Sequence, residues 1–246
     1  MFGRKKKDKE FSKDGTEILR YEESKQDEWT PAAESLYMEN IEAHFNLCFP
    51  NRSTSVLHEI LSDLVHIDIH IMEPPTKEDF WVVFTTGMSD LPMTMPQGIE
   101  NPDEWNRAEL VMFLPPEWNP ENATDTSTEV PHEDFIPIST LKFLARMPHY
   151  YESWLGNGHT VPNGAEYTPF IEGSEMGGVV LLDCLDDKAY RTIAKDGTII
   201  NFYVVVPLSR AETEHKLEHG LEALLQKMDE HEVGIEFNMN RKSILP

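Results

Sequence analysis

Three stretches decide how this chain folds: Val65-His-Ile-Asp-Ile-His-Ile-Met-Glu-Pro-Pro-Thr76, Phe80-Trp-Val-Val-Phe-Thr-Thr-Gly-Met-Ser-Asp-Leu-Pro-Met93 and Arg107-Ala-Glu-Leu-Val-Met-Phe-Leu-Pro-Pro-Glu-Trp118. In the first, Val65, Ile67, Ile69 and Ile71 alternate with His66, Asp68 and His70. Successive side chains on a strand point to opposite faces, so a period of two predicts a strand with one apolar and one polar face. Phe80 to Thr86 is apolar and aromatic and stops at Gly87, which reads as a second strand. Joined through Pro74-Pro75, the two are expected to pair antiparallel. Glu109 to Leu114 reads as a third strand, stopped at Pro115-Pro116 because proline has no N–H for a ladder.

Upstream, Thr30-Pro31 reads as a helix start, with Thr as cap and Pro at the first helical position. Ala33, Leu36, Tyr37, Ile41, Phe45 and Cys48 then recur at helical spacing until Pro50. Downstream, residues 117–134 hold six acids and no Lys or Arg and read as an exposed acidic loop. Residues 137–155 have a helical period that Pro148 is expected to kink or split. Gly156 to Gly164 reads as a turn-rich loop, and Gly173 to Gly178 as a linker. Val179–Cys184 and Ile199–Leu208 are near-continuous apolar runs, the pattern of central strands. Ser209 and Glu212 have the spacing of a capping box. The helix that follows carries a stripe of Leu217, Leu221, Leu224, Leu225 and Met228, and Val233, Ile235, Phe237 and Met239 alternate as a last strand. The class is α/β (α+β): a single domain over residues 31–246 with a central mixed β-sheet flanked by helices, after a basic and polar flexible tail over residues 1–30.

The chain has 246 residues and a net charge of −23. Met1 to Lys13 carries six cations against Asp8 and Glu10, a local +4 that leaves −27 on the rest. A surface that acidic repels phosphate, so nucleic acid is excluded as a partner and a basic protein is favoured. No apolar run approaches the ~20 residues that span a bilayer, and the basic start lacks the apolar stretch of a signal peptide. Cys48 and Cys184 sit in apolar surroundings and read as free thiols in a reducing compartment, so the expected location is the cytoplasm.

Chemistry-bearing residues are few. His66, Asp68 and His70 share a strand face, with the two histidines about 13 Å apart at ~3.3 Å per residue. They are the metal candidates, but no Cys-x-x-Cys or His-Glu-x-x-His completes a site, and polar residues on a partly covered face are the simpler reading. Gly87-Met88-Ser89 is half of a nucleophile elbow, with Leu91 where the second glycine belongs. Gly173 to Gly178 lacks the lysine of a phosphate-binding loop. Glu212, Glu214 and Glu218 lie along one helix with His215 and His219, which share a face at their four-residue spacing; a metal site is the alternative to the simpler reading, an exposed polar face. No catalytic residue and no cofactor is expected.

Taken in order, Val65–Pro75, Thr85–Met93, Ala108–Trp118, Leu144–Pro148, Gly158-His159, Ser209–Met228 and the final apolar segment with Arg241 resemble the Suppressor of fused family, over about residues 32–244. The resemblance implies a protein-binding domain. In the animal regulators of Hedgehog signalling, a second domain follows, and the two clamp an extended segment of a Gli-type transcription factor. This chain stops at Pro246 and looks more like the stand-alone bacterial branch, which implies an immunity protein that neutralises a cognate toxin, a nuclease among the candidates. The alternatives are an adaptor that binds a protein segment by strand addition and, less supported, a metal-dependent hydrolase. The resemblance points to Gly158, His159, Ser89, Asp90 and Arg241 as partner-binding residues. A glycine stands where the animal proteins carry an acidic residue near Gly158-His159, so their peptide specificity is not carried over. Asp90, Glu109 and Arg241 match family positions that equally serve to hold the fold.

Overall fold

The structure is a computed structural model. It describes residues 10–13, 15, 17–18, 35–60, 62, 64–124, 127, 132–183 and 189–246. In chain order the elements are β1 (Glu10–Phe11), β2 (Glu17–Ile18), α1 (Met38–Cys48), β3 (Thr54–Leu57), β4 (Asp68–Met72), β5 (Trp81–Thr86) and β6 (Ala108–Leu114). There follow α2 (Pro120–Thr124), α3 (Ile136–Tyr150), β7 (Thr160–Pro162), β8 (Met176–Leu182), β9 (Arg191–Ile193), β10 (Ile199–Ser209), α4 (Arg210–His219) and α5 (Leu221–Glu230). β1 and β2 make a small hairpin, and the other eight strands form one sheet in the order β3-β4-β5-β6-β10-β8-β7, with β9 beside β10. All ladders are antiparallel except the central β6–β10 pair, which is parallel, so the sheet is mixed as expected.

Alternation sorts each strand's side chains onto two cores. Val65, Ile67, Ile69 and Ile71 join Leu110, Met112, Val205 and the α3 residues Leu141 and Leu144 on one face. Val82, Phe84, Val111, Phe202, Val204 and Val206 meet Ile41 and Phe45 of α1 and Leu224 and Met228 of α5 on the other. Phe45 stacks on Phe84 at 3.9 Å between centroids and meets Phe202 edge-on at 4.9 Å. Each fully buried ring of this kind contributes ~1.5–3 kcal/mol. The polar face of that first stretch is covered too: His70 is buried beside Glu42 of α1, and Asp68 is buried against His58, Glu59 and His66.

Several expectations are corrected. Thr30-Pro31 lies outside the described residues, and α1 starts at Met38. The acidic stretch is not simply an exposed loop. Trp118 and Ala123 are buried, α2 forms within it, and Trp118 Nε1 donates to Asp134 O at 2.8 Å, closing its ends together. Pro148 does not split α3, because it falls in the last turn, two residues before the end. Gly177 and Gly178 belong to β8 and not to a linker. The helix after Ser209 is two helices, broken at Gly220, where φ 88° and ψ 170° leave the helical region. Val233 to Met239 does not form a strand. It packs Val233 and Ile235 against one core and Phe237 and Met239 against the other, and touches the sheet through a single parallel bridge, Phe113 with Glu236. The capping box is present as predicted: Ser209 Oγ accepts from Glu212 N at 3.1 Å and Glu212 Oε2 accepts from Ser209 N at 2.8 Å.

Candidate functional site

Ser89 and Asp90 lie where β5 ends. Gly87, at φ 102°, turns the chain into a 3-10 turn over Met88–Asp90. A Cβ on Gly87 would sit 1.7 Å from the His66 carbonyl oxygen, so only glycine lets the two segments approach. The turn delivers Ser89 to Glu109, the second residue of β6. Glu109 Oε1 accepts from Ser89 N at 2.9 Å and Ser89 Oγ at 2.7 Å, and Oε2 accepts from Thr85 Oγ1 at 2.6 Å. Ser89 is buried with its proton committed to this carboxyl, so it is not an exposed nucleophile. Burial pushes the Glu109 carboxyl up to about 8 despite three hydrogen bonds that favour its charge, and the neighbouring Asp90 pushes the same way. Burial likewise raises Asp90 to about 6, against amides of Leu36 and Tyr37 and the charge of Arg107. Asp90 thereby pins the entry to α1: Leu36 N donates to its Oδ1 at 3.0 Å.

The pH dependence of stability follows. Unfolded Glu109 loses its proton near 4.5, whereas folded Glu109 keeps it to about 8. Its contribution is fully present below the unfolded value and is lost as pH rises toward the folded one, with a slope approaching ~1.4 kcal/mol per pH unit. Glu109→Gln is expected to reduce the fall in stability between pH 5 and pH 8 by on the order of 3 kcal/mol. Urea unfolding at the two pH values checks this, and parallel behaviour of variant and wild type contradicts it.

Gly158 and His159 gather with α4 and α5. Gly158, at φ 77°, donates its N–H to Leu181 O at 2.7 Å and packs on Leu221. His159 O accepts from Leu181 N at 2.9 Å, so the pair starts the ladder that β7 continues along β8. The His159 ring meets Trp154 edge-on at 4.4 Å. Burial, helped by the charge of Lys216, lowers its pKa to about 4, so it is neutral near pH 7. Arg241 reaches α4 from the C-terminal segment and forms a forked pair with Glu212, Nη1 to Oε1 at 2.7 Å and Nη2 to Oε2 at 2.6 Å. The five residues thus fall into two groups: Gly158, His159 and Arg241 around the α4 layer, and Ser89 with Asp90 around Glu109.

His66, Asp68 and His70 do not converge on a metal position. Asp68 is filled: Oδ2 faces His58 Nδ1 at 2.9 Å, while Oδ1 faces His66 Nε2 at 2.9 Å and accepts from Glu59 N at 2.9 Å. His70 turns to Thr86 Oγ1 at 3.0 Å and Glu42 Oε1 at 3.4 Å, and stacks on Phe84. Burial lowers its pKa to about 4. Among the described residues no group of three His, Cys, Asp or Glu side chains is arranged to hold a metal ion. Ser62 Oγ lies 2.8 Å from His66 Nδ1, which lines up Ser62, His66 and Asp68. Its proton, however, goes to Glu59 Oε2 at 2.7 Å. Burial alone would raise Glu59, but the hydrogen bonds from Ser62 and Arg146 and the Arg146 charge outweigh it and hold this carboxyl below its usual range. The serine proton is therefore held by a carboxylate and not by the imidazole. Sequence reasoning missed His58, Glu59 and Arg146, which share no periodicity with the strand they serve. Cys48 is half-buried, its Sγ 3.7 Å from His44 Nε2, and Cys184 lies outside the described residues. No helix among the described residues is long and apolar enough to cross a membrane.

A cleft of about 460 Å³ opens between β6 and the β9–β10 turn. Pro92, Arg107 and Ile199 line it together with Asp103, Glu104 and Asp196. Asp196 is held in place by Thr198 N at 3.0 Å and Tyr37 Oη at 3.2 Å.

No curated protein sequence matches the chain. Among solved structures it is similar to a Suppressor of fused homolog from Neisseria gonorrhoeae, at 17% identity and TM-score 0.58, covering 85% of this chain and 97% of that one. It is similar to a chain of the Sufu–Fu complex, at 15% identity and TM-score 0.60, covering 87% and 93%. Drosophila Suppressor of Fused matches at 13% identity and TM-score 0.54, covering 88% of this chain and 52% of that protein. At these identities the likeness carries the fold. The family model described as Suppressor of fused protein matches residues 63–242, and the chain belongs to the Suppressor of fused family.

Proposed function

We propose that this chain is a non-catalytic protein-binding domain that captures a basic protein and acts as an immunity protein toward a cognate toxin. The observation that carries the reading is the net charge of −23, which is −27 beyond Lys13. A field of that sign draws a cationic partner in and makes association fast and salt-sensitive. The cleft with Asp103, Glu104 and Asp196 in its walls supplies a concave, acidic place for a basic side chain. A nuclease, whose substrate groove is cationic, is the toxin class that such a surface masks.

The test is an affinity capture with the tagged protein from its source cells at low salt. One stoichiometric basic partner, released by raised salt and toxic when produced alone, is the expected result. Recovery of a non-toxic regulatory protein instead overturns the immunity reading and leaves protein binding standing.

A second reading, an adaptor that binds by strand addition, is favoured by the sheet edge at β7. Asn163 N donates to Gly177 O at 2.8 Å, which sets the ladder's phase and turns the N–H and C=O of Thr160 away from β8. A chain of similar fold occurs in the Sufu–Fu complex. Thr160→Pro removes that outward donor and is expected to abolish partner binding on this reading alone.

A further inference from the structure

β3 is the last strand at the end of the sheet opposite β7. It pairs with β4 from Thr54↔Met72 to Leu57↔Ile69 without a break in register. Glu73 N donates to Ser53 O at 2.8 Å, and this fixes the phase of the ladder. In an antiparallel pair the hydrogen-bonding direction alternates residue by residue, so Ser53, Ser55 and Leu57 bond toward β4 while Thr54 and Val56 point N–H and C=O outward. The outer side therefore offers two donors and two acceptors, and no described strand takes them. Thr54 and Ser55 are exposed.

Sheet edges are normally protected by proline, by lysine or by a bulge. β7 follows that rule, since Pro162 ends it. β3 reads Thr-Ser-Val-Leu, with high β-propensity, no proline, no charge and no bulge. Its surroundings differ on the two faces. Leu57 packs on the α3 side of the core. Just past the strand Ile60 is 93% exposed, and its neighbour Glu59 is bound by Lys142 and Arg146 of α3. On the α1 side Val56 lies opposite His70, and Glu42 stands 3.4 Å from that imidazole with its side chain 37% exposed. An added strand meets the apolar Leu57 on one face and a carboxylate on the other. A second copy of this chain would bring another −23 to the contact, so charge selects a partner of opposite sign.

We propose that the outer edge of β3 is a strand-addition site for an extended segment of a partner protein in which apolar and basic residues alternate. The partner's backbone completes the outward bonds of Thr54 and Val56, its apolar side chains lie toward Leu57, and its cations lie toward Glu42. The site shares with the proposed function only the sign of the partner's charge, and it uses a different edge from β7.

The test uses the full chain and a fluorescent eight-residue peptide alternating lysine and valine, with a glutamate–valine peptide as control. Val56→Pro removes one outward N–H while leaving every bond to β4, a position proline tolerates on an edge. Saturable binding of the lysine peptide at low salt is expected, with affinity lowered at least about tenfold in Val56→Pro and unchanged in Thr160→Pro. Amide exchange on the wild-type chain gives a second readout that needs no variant to fold: the peptide is expected to slow exchange at Thr54 and Val56. Loss of binding in Thr160→Pro with retention in Val56→Pro overturns the proposal in favour of β7. Equal binding of the glutamate peptide, or no protection at Thr54 and Val56, overturns it as well. Dimerisation without peptide that is lost in Val56→Pro makes a second copy the occupant and also overturns it. Failure here leaves the affinity capture of a basic toxin unaffected, and failure there leaves this site standing.

Discussion

Arg241→Ala is expected to lower the free energy of unfolding by ~3–5 kcal/mol at pH 7, the cost of stripping one partner from a buried ion pair. The Arg241 and Glu212 side chains are 10% and 0% exposed, and their contact is forked, which gives two parallel charge-assisted bonds. Nη2 also donates to Pro207 O at 2.6 Å, and Glu212 receives Ser209 N at 2.8 Å and Ile244 N at 2.9 Å. One carboxylate therefore holds the cap of α4, the end of β10 and the C-terminal segment together. Burial would raise Glu212, but Arg241 and the amides outweigh it and keep its pKa below the usual value. A depressed acid contributes stability above its unfolded pKa and loses it as pH falls through the folded one, so the damage from Arg241→Ala is largest at neutral pH and shrinks in acid. For a chain of this length the loss corresponds to roughly 6–20 °C in Tm. Arg241→Lys keeps the charge without the fork and is expected to fall between the two. Calorimetry at pH 7 and pH 4 checks the series. A variant within about 2 °C of wild type at pH 7 would falsify the assignment.

Gly87→Ala is expected to leave no stable fold, at a cost above ~4 kcal/mol. The added Cβ lands 1.7 Å from the carbonyl oxygen of His66 and 2.8 Å from its carbon, both backbone atoms, so no side-chain rotation relieves the clash. Relief requires the segment before β4 to part from the end of β5, which also draws Ser89 N away from Glu109. Gly98→Ala separates strain from clash. Gly98 has φ 95° but nothing within 4 Å of its new Cβ, so only the left-handed backbone penalty applies, ~1–2 kcal/mol. Soluble yield and near-ultraviolet dichroism distinguish the two, and a folded Gly87→Ala with native-like spectra would show that the two segments are not in fixed contact.

What the sequence made legible depends on whether a side chain's reason for being there is periodic. β4, β5 and β6 stand out because each residue alternates between two buried faces, and β8 and β10 because central strands are apolar on both. Ser209 and Glu212 are recognisable because a capping box is a contact three residues apart. The edge strands are another matter. Thr54–Leu57, Thr160–Pro162 and Arg191–Ile193 are short and half-solvated, so they carry no run to detect. Val233 to Met239 misled for the opposite reason. Its apolar residues are used, Val233 and Ile235 in one core and Phe237 and Met239 in the other, but Phe237 N bonds Phe113 O beyond the Val204↔Val111 pair where the β6–β10 ladder ends. The partner of a buried charge is not periodic at all: Arg241 lies 29 residues from Glu212, and Arg146 lies 87 from Glu59. Gly158 and His159 were found through family resemblance, and their contacts with Leu221 and the charge of Lys216 are tertiary facts.

The parallel pairing of β6 with β10 has a consequence for how the chain is made. The meander from β3 to β6 has only local connections and closes as soon as it leaves the ribosome, but the neighbour that covers the inner side of β6 is roughly 85 residues further on. At the usual ~5–20 residues per second of synthesis, the β6 flank with its row of amides stands uncovered for on the order of 4–17 s. Any variant that slows translation over that interval lengthens the exposure. The nascent protein is most vulnerable to misassociation midway through its own synthesis, at a step that leaves no trace in the stability of the finished molecule.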